Sequence, residues 1–519
     1  MPPTDQPVMG SIGNSGSETT FAGLDLVRAA AAIAVVALHA GVPYLKHPMP
    51  GLGWTVQDTP SEAVDFAFWS LELIVMPLFL VIAGFFTWRS LGRSQPSGVV
   101  RSRAKRLLIP LLFGMLVVLP LDLYLWVLGW VTDGAVPMVK MKSLKFDGSI
   151  DRNLWGLSHL WFLPYLFTYV AILAAAKAAW DRWGQRTAKF GQGMLRQIQP
   201  GSRTIDSICI AALAGAASIV LIFRPEVVWG FQHAFLPVAS KWTYHAIFFA
   251  LGVSLAWNDP QLDGLKRWAP RLAIPTLMMG FATIRLGQWQ LLAVDPSPIS
   301  VDLSSQMVSM QIEGEYLFRS NLSHAITAVM TATTAVLATL VIMGLAMRHV
   351  LSVSTAVKYV AAASFWIYLV HHPILGLAHI DLKWFATGFS PVAKMIFAAT
   401  ISVAFSIATY EGLVRRTRLG KILGFQYSLP SERSDAATGQ QLAESEIENS
   451  PTIRRDEDES DATISIPWGR GSLNPGTQES GAMDPDSTNS DDSTAAPGHG
   501  SGVGLPIRRS QNIPPRRAA

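Results

Sequence analysis

Ten apolar runs, most of them near the length needed to cross a lipid bilayer, follow one another between residues 24 and 414. About 20 apolar residues in a helix span the roughly 30 Å hydrocarbon core. Within that core every backbone N–H and C=O must find a partner inside its own segment, so such runs fold as helices and gather into a bundle. The runs cover residues 24–44, 64–88, 107–131, 158–176, 205–223, 242–257, 272–294, 323–347, 357–379 and 392–414. The predicted fold class is therefore all-α, a polytopic integral membrane protein of about ten transmembrane helices. Composition agrees, because 50% of the 519 residues are hydrophobic and only 15% are charged, a balance that excludes an ordinary soluble domain.

The loops give the orientation. Residues 89–106 carry Arg89, Arg93, Arg101, Arg103, Lys105 and Arg106, and residues 177–203 carry a second basic set. Further basic residues lie between the sixth and seventh runs, between the eighth and ninth, and after the tenth. Basic loops alternate with less basic ones at every crossing except 133–152, where lysines and aspartates mix. The positive-inside rule then predicts an even number of spans with both termini cytoplasmic. The same rule accounts for the formal charge of +4 without a nucleic-acid partner. The only cysteine, Cys209, lies in an apolar run and rules out a disulfide framework or a cysteine metal site.

Residues 1–20 are polar and lack the basic start of a signal peptide, which predicts a disordered leader. The segment 426–519 is rich in Ser, Asp, Glu, Pro and Gly and cannot bury enough apolar surface to fold, which predicts a disordered cytoplasmic tail. The domain between them is 21–425. Asp25 is a candidate cap for the first helix, and Asn321-Leu322-Ser323 fits the short glycosylation pattern.

Ionisable side chains inside membrane spans are costly and mark functional sites. In the predicted topology His39, Glu72, Asp122, His159, His245, His371 and His372 fall toward the outer face, and Arg285 past the middle of the seventh run. A shared outward polar cavity is the simplest arrangement. Arg28 stands apart at the inner end. Ten residues lie between it and His39, so eleven helical steps give a rise of roughly 16 Å, about half the bilayer core. Each residue also has a structural reading: His39 as an interfacial polar group, His159 as part of an aromatic belt beside Trp161, Glu72 or Asp122 as partners of Arg285, and Arg28 as a positive-inside anchor. His371 and His372 project about 100° apart on a helix, so at most one is expected to face the cavity, and no metal site is predicted. No zinc-protease, P-loop, dinucleotide-binding or nucleophile-elbow motif is found in a confirming context.

The stretches RAAAAIAVVALH, MPLFLVIAGFF, RAKRLLIP, HLWFLPYLF and SFWIYLVHHPIL together resemble the membrane-bound acyltransferase-3 family over residues 21 to 425. HLWFL and the HHP of the ninth run are most similar to its branch of succinyltransferases in osmoregulated periplasmic glucan synthesis. The resemblance implies transfer of an acyl group, succinyl or acetyl, from cytoplasmic acyl-CoA to a hydroxyl of an extracytoplasmic glucan or other glycan. It also implies location in the bacterial inner membrane, no permanently bound cofactor, and glycan-biosynthesis proteins as partners alongside the lipid bilayer. Carried over residue by residue, Arg28 and His39 are the family's spaced pair, and Arg103 and Arg106 its arginines before the third helix. Lys105 interrupts the latter pattern, and Ala83 stands before Gly84 where the family commonly has Ser.

The expected roles follow. Arg28, Arg103 and Arg106 bind the acyl-CoA donor, and neutral His39 takes the proton of the attacking hydroxyl. Glu72 or Asp122 orients the imidazole. His159, His245, Arg285, His371 and His372 contact the substrates. A covalent acyl-histidine stays open beside direct transfer. The competing function is an exporter of a glycan or small anion that uses the same buried charges without chemistry. A membrane anchor with a recruiting tail gives no reason for ionisable groups in seven spans.

Overall fold

The computed structural model describes residues 21–143, 146, 155–187, 203–292, 300–302, 307–309 and 322–423. The expected leader at 1–20, the tail at 426–519, most of the end of the loop 133–152 and Asn321 of the glycosylation pattern lie outside them. The described residues are helical apart from a two-stranded antiparallel ribbon, β1 Ser300–Asp302 paired with β2 Met307–Ser309.

The first run forms α1, Ala22–Gly41, and its alanines let neighbours approach closely. It packs against α2, Glu62–Leu91, and against three later helices: α9, Leu322–His349; α10, Thr355–Phe385; and α11, Pro391–Thr409. Asp25 does not cap α1. It sits in the first turn and pairs with Arg28 at 3.2 Å, so the candidate cap is an ion-pair partner.

The third run begins earlier than its apolar residues suggest. α3, Pro96–Phe113, continues through a π-helical turn, Gly114–Val118, into α4, Leu119–Thr132. Pro96 at the first helical position starts the helix, and the basic residues expected in a loop extend it by three turns. A 3-10 turn, Ser158–Trp161, leads into α5, Phe162–Thr187, and α6, Arg203–Phe223, follows. α7, Ala239–Asn258, crosses α2 very closely: a Cβ on Gly84 would overlap the Phe249 carbonyl, and one on Gly252 would overlap the Val81 carbonyl. Two glycines facing each other's backbone explain the tightness of this crossing. α8, Asp263–Leu291, packs chiefly on α9 through a polar seam in which the Thr283 and Thr334 hydroxyls lie 2.9 Å apart.

Among the described residues, seven helical segments are long and apolar enough to cross a membrane. They are the first four runs and the last three. α6, α7 and α8 occupy the positions of the fifth to seventh runs. The apolar part of α6 is short, and α7 and α8 carry Lys241, Lys266, Arg267, Arg271 and Arg285. The molecule is an integral membrane protein.

Candidate active site

Four imidazoles meet where α1 ends and α10 passes it. His39, in the last turn of α1, donates from Nδ1 to the Val35 carbonyl at 2.9 Å, because a carbonyl oxygen can only accept. In the neutral ring that leaves Nε2 with a free lone pair, and His39 lines a cavity of about 1040 Å³, part of it open to solvent. His371 is fully buried, donates from Nδ1 to the Tyr368 carbonyl at 2.8 Å, and brings its Nε2 to 3.4 Å from His39 Nδ1. The His371 and His372 rings each lie 5.1 Å from that of His39. Both rings therefore lie against His39, but of the two only His372 lines the cavity, in keeping with neighbours that project about 100° apart on a helix.

The carboxylate that orients an imidazole is Asp122, and the imidazole is that of His372. Asp122, 3% exposed on α4, accepts from His372 Nδ1 at 2.7 and 2.8 Å and from the Ser158 hydroxyl at 3.5 Å. His372 also lines the cavity, with its Nε2 lone pair free. Asp122 lies close enough to His39 for its charge to act there as well. His159, in the 3-10 turn, donates from Nε2 to the Leu369 carbonyl at 3.1 Å, and its own carbonyl accepts from the Tyr368 hydroxyl. Its Nδ1 is buried without a hydrogen-bond partner among the described residues.

Asp122, His159 and His372 each offer a metal-ligand atom, all within 4.8 Å of one another. The His159 and His372 rings, however, are stacked at 4.6 Å and 14°. Imidazole lone pairs lie in the ring plane, so two stacked rings direct them in parallel and not toward one ion.

The opposite wall of the cavity comes from α2 and α7. Glu72 lines it, together with Lys241, Tyr244 and His245. Glu72 makes no hydrogen bond among the described residues and does not touch His39. Its charge acts on Lys241, which is 7% exposed and rests its ammonium 3.9 Å from the centre of the Trp161 ring. His245 donates from Nδ1 to the Lys241 carbonyl at 2.7 Å. Over the His39 end folds the segment 45–61. Trp54 donates to His379 Nδ1 at 2.9 Å, its carbonyl accepts from Trp130 at 2.8 Å, and its ring lies 4.6 Å from that of His372.

At the other end of α1, Arg28, Arg103 and Arg106 form a cationic group whose charges interact through Arg103. Arg28 and Arg103 are half-buried and Arg106 is exposed. Arg285 is not in the cavity. It bonds Glu62 at 3.0 Å and Gln288 at 3.3 Å, so it pairs with neither Glu72 nor Asp122.

The model of the acyltransferase-3 family, described as an acyltransferase domain, matches residues 21–411. The chain belongs to this family. No curated protein and no solved structure matches it. The protein is thus a membrane acyltransferase, and the matched region contains every residue of the imidazole cluster, the cavity wall and the arginine group. Lys241 of this acyltransferase was not singled out from sequence. It begins an apolar helix beside Trp242, where a lysine reads as an interfacial anchor, although its spacing of four from His245 places both on one helix face.

Proposed function

We propose that this acyltransferase moves an acyl group from cytoplasmic acyl-CoA to a hydroxyl of an extracytoplasmic glycan in the bacterial inner membrane. Within this reading the acyl group is succinyl or acetyl and the glycan a periplasmic glucan. The observation that carries the reading is the pair of cavity-lining imidazoles, His39 and His372, with the buried Asp122 carboxylate behind them. His39 Nε2 takes the proton of the glycan hydroxyl as its oxygen attacks the thioester carbonyl. The new C–O bond forms, the C–S bond breaks, and the proton passes from His39 to the leaving sulfur. Asp122, fixed by His372 and Ser158, offsets the imidazolium charge while it lasts. Arg28, Arg103 and Arg106 supply cations for the donor's phosphates, which stay in water on the cytoplasmic side.

Purified protein given labelled acyl-CoA and a glucan tests this. Label is expected on the glucan. His39→Ala abolishes the transfer, and Arg28→Ala raises the KM for acyl-CoA about tenfold, the cost of one charge-assisted phosphate contact. Full transfer by both variants, or export of a glycan with the thioester intact, refutes it.

A further inference from the structure

The imidazole wall accounts for proton transfer, but nothing in that chemistry uses Glu72 and Lys241 on the facing wall. Their state is unusual. Lys241 carries a buried ammonium with three donors, and its contacts among the described residues are aromatic faces, Trp161 at 3.9 Å and Phe231 at 5.9 Å. Glu72 carries acceptors alone and has no donor bonded to it. Both line the same cavity and interact electrostatically, yet no ion pair within 4.0 Å joins them. Lys241 is buried and Glu72 half-buried. A buried charge without hydrogen bonds is costly, so this spacing fits a ligand that bonds to both.

Such a ligand must accept from an ammonium and donate to a carboxylate. The pair is neutral overall, so an anion or a cation would satisfy one member and repel the other. Neighbouring hydroxyls do both at once. Tyr244 and Phe231 add apolar surface of the kind that small-ligand pockets combine with a few fixed polar groups. We propose that Glu72 and Lys241 form the acceptor subsite, holding two neighbouring hydroxyls of a sugar or other polyol while the hydroxyl that reacts is presented to His39. This rests on the acyl-transfer reading above and adds to it the wall on which the acceptor is bound. Trp161 and His245 are positioning residues: one seats the ammonium, and the other holds the Lys241 backbone.

Kinetics of the purified full chain separate the two substrates, with acetyl-CoA as donor and methyl glucoside and its monodeoxy analogues as acceptors. Glu72→Gln and Lys241→Met are expected to raise the acceptor KM about tenfold or more, the value of a charge-assisted hydrogen bond, and to leave the donor KM in place. Lys241→Arg restores most of the loss. One monodeoxy analogue should bind the wild type about tenfold more weakly and show no further loss in the matching variant. A rise confined to the donor KM, or a fall in kcat with both KM values unmoved, overturns the proposal. If the wild type uses no CoA thioester, the acyl-CoA reading fails by itself. Methyl glucoside's effect on the melting temperature of wild type and Lys241→Met then decides the subsite: stabilisation of the wild type alone supports it, and equal shifts or none refute it.

Discussion

Replacing Asp122 by Asn tests whether the buried carboxylate works through charge. The side chain keeps its size, so the 3% exposed site stays filled. What changes is the partner of His372, which now donates to two oxygens at 2.7 and 2.8 Å. An amide offers one oxygen and no charge. If its NH2 faces Nδ1, the ring must switch tautomer, and the lone pair on its cavity side becomes an N–H. In the serine-protease triad the same exchange costs about 10⁴ in kcat through the wrong tautomer. In the proposed mechanism the carboxylate also offsets an imidazolium formed on His39, and positioned acid–base groups contribute about 10²–10⁴. The expected loss in kcat is therefore about 10²–10⁴, or roughly 3–5 kcal/mol at 1.36 kcal/mol per tenfold. Initial rates with labelled acyl-CoA measure it, with expression level and melting temperature as controls for folding. A well-folded Asp122→Asn protein that keeps kcat within about threefold of wild type would mean that the carboxylate is only structural, and the mechanism above would fall.

Gly252→Ala drives a methyl group into the Val81 carbonyl at the α2–α7 crossing, which neither backbone can vacate. A destabilisation of about 1–3 kcal/mol is expected from such overpacking, read as a lower melting temperature in detergent, and an unchanged value would show that the crossing is looser than described. Asp58, in the segment over the cavity, bonds Lys394 at 2.7 Å and Thr59. Burial pushes its pKa up, but these hydrogen bonds and the Lys394 charge prevail and hold it below its ordinary 3.8. A depressed carboxyl stabilises the fold fully above the ordinary value, and that contribution is lost as pH falls toward the native one. Asp58→Asn should therefore melt below wild type at pH 7, with the gap closing as the pH is lowered through and below 3.8. A gap independent of pH would assign the effect to shape instead of charge.

Much of this was legible in the sequence because lipid leaves so little freedom. Apolar runs became helices, and ionisable residues from separate runs met in one cavity, with His39, His159, His245 and His372 all among its lining. Partners were harder to read. Glu72 or Asp122 was expected to orient His39, but Glu72 makes no hydrogen bond among the described residues and that of Asp122 goes to His372, which α10 carries against α4. Arg285 looked like a buried counter-ion, and its helix places it beside Glu62 at the start of α2. Such choices depend on the rotation of each helix about its own axis, which a pattern of apolar residues with few polar marks fixes only loosely. Lys241 went unmarked for the same reason.

The π-helical turn at Gly114–Val118 has a consequence of phase. A π turn holds one residue more than an α turn, as if a residue had been inserted into a regular helix. Each residue rotates a helix by about 100°, so everything after the turn is offset by about that angle from the direct continuation of α3. Asp122 lies four residues beyond it. Deleting one residue from 114–118 and letting the helix become regular would keep Arg103 and Arg106 where they are and swing Asp122 more than a quarter turn away from His372. The arginine end and the imidazole end of this span are thus held in register by one surplus residue, and a chain of the same composition without it would carry every group named above and leave Asp122 turned away from His372.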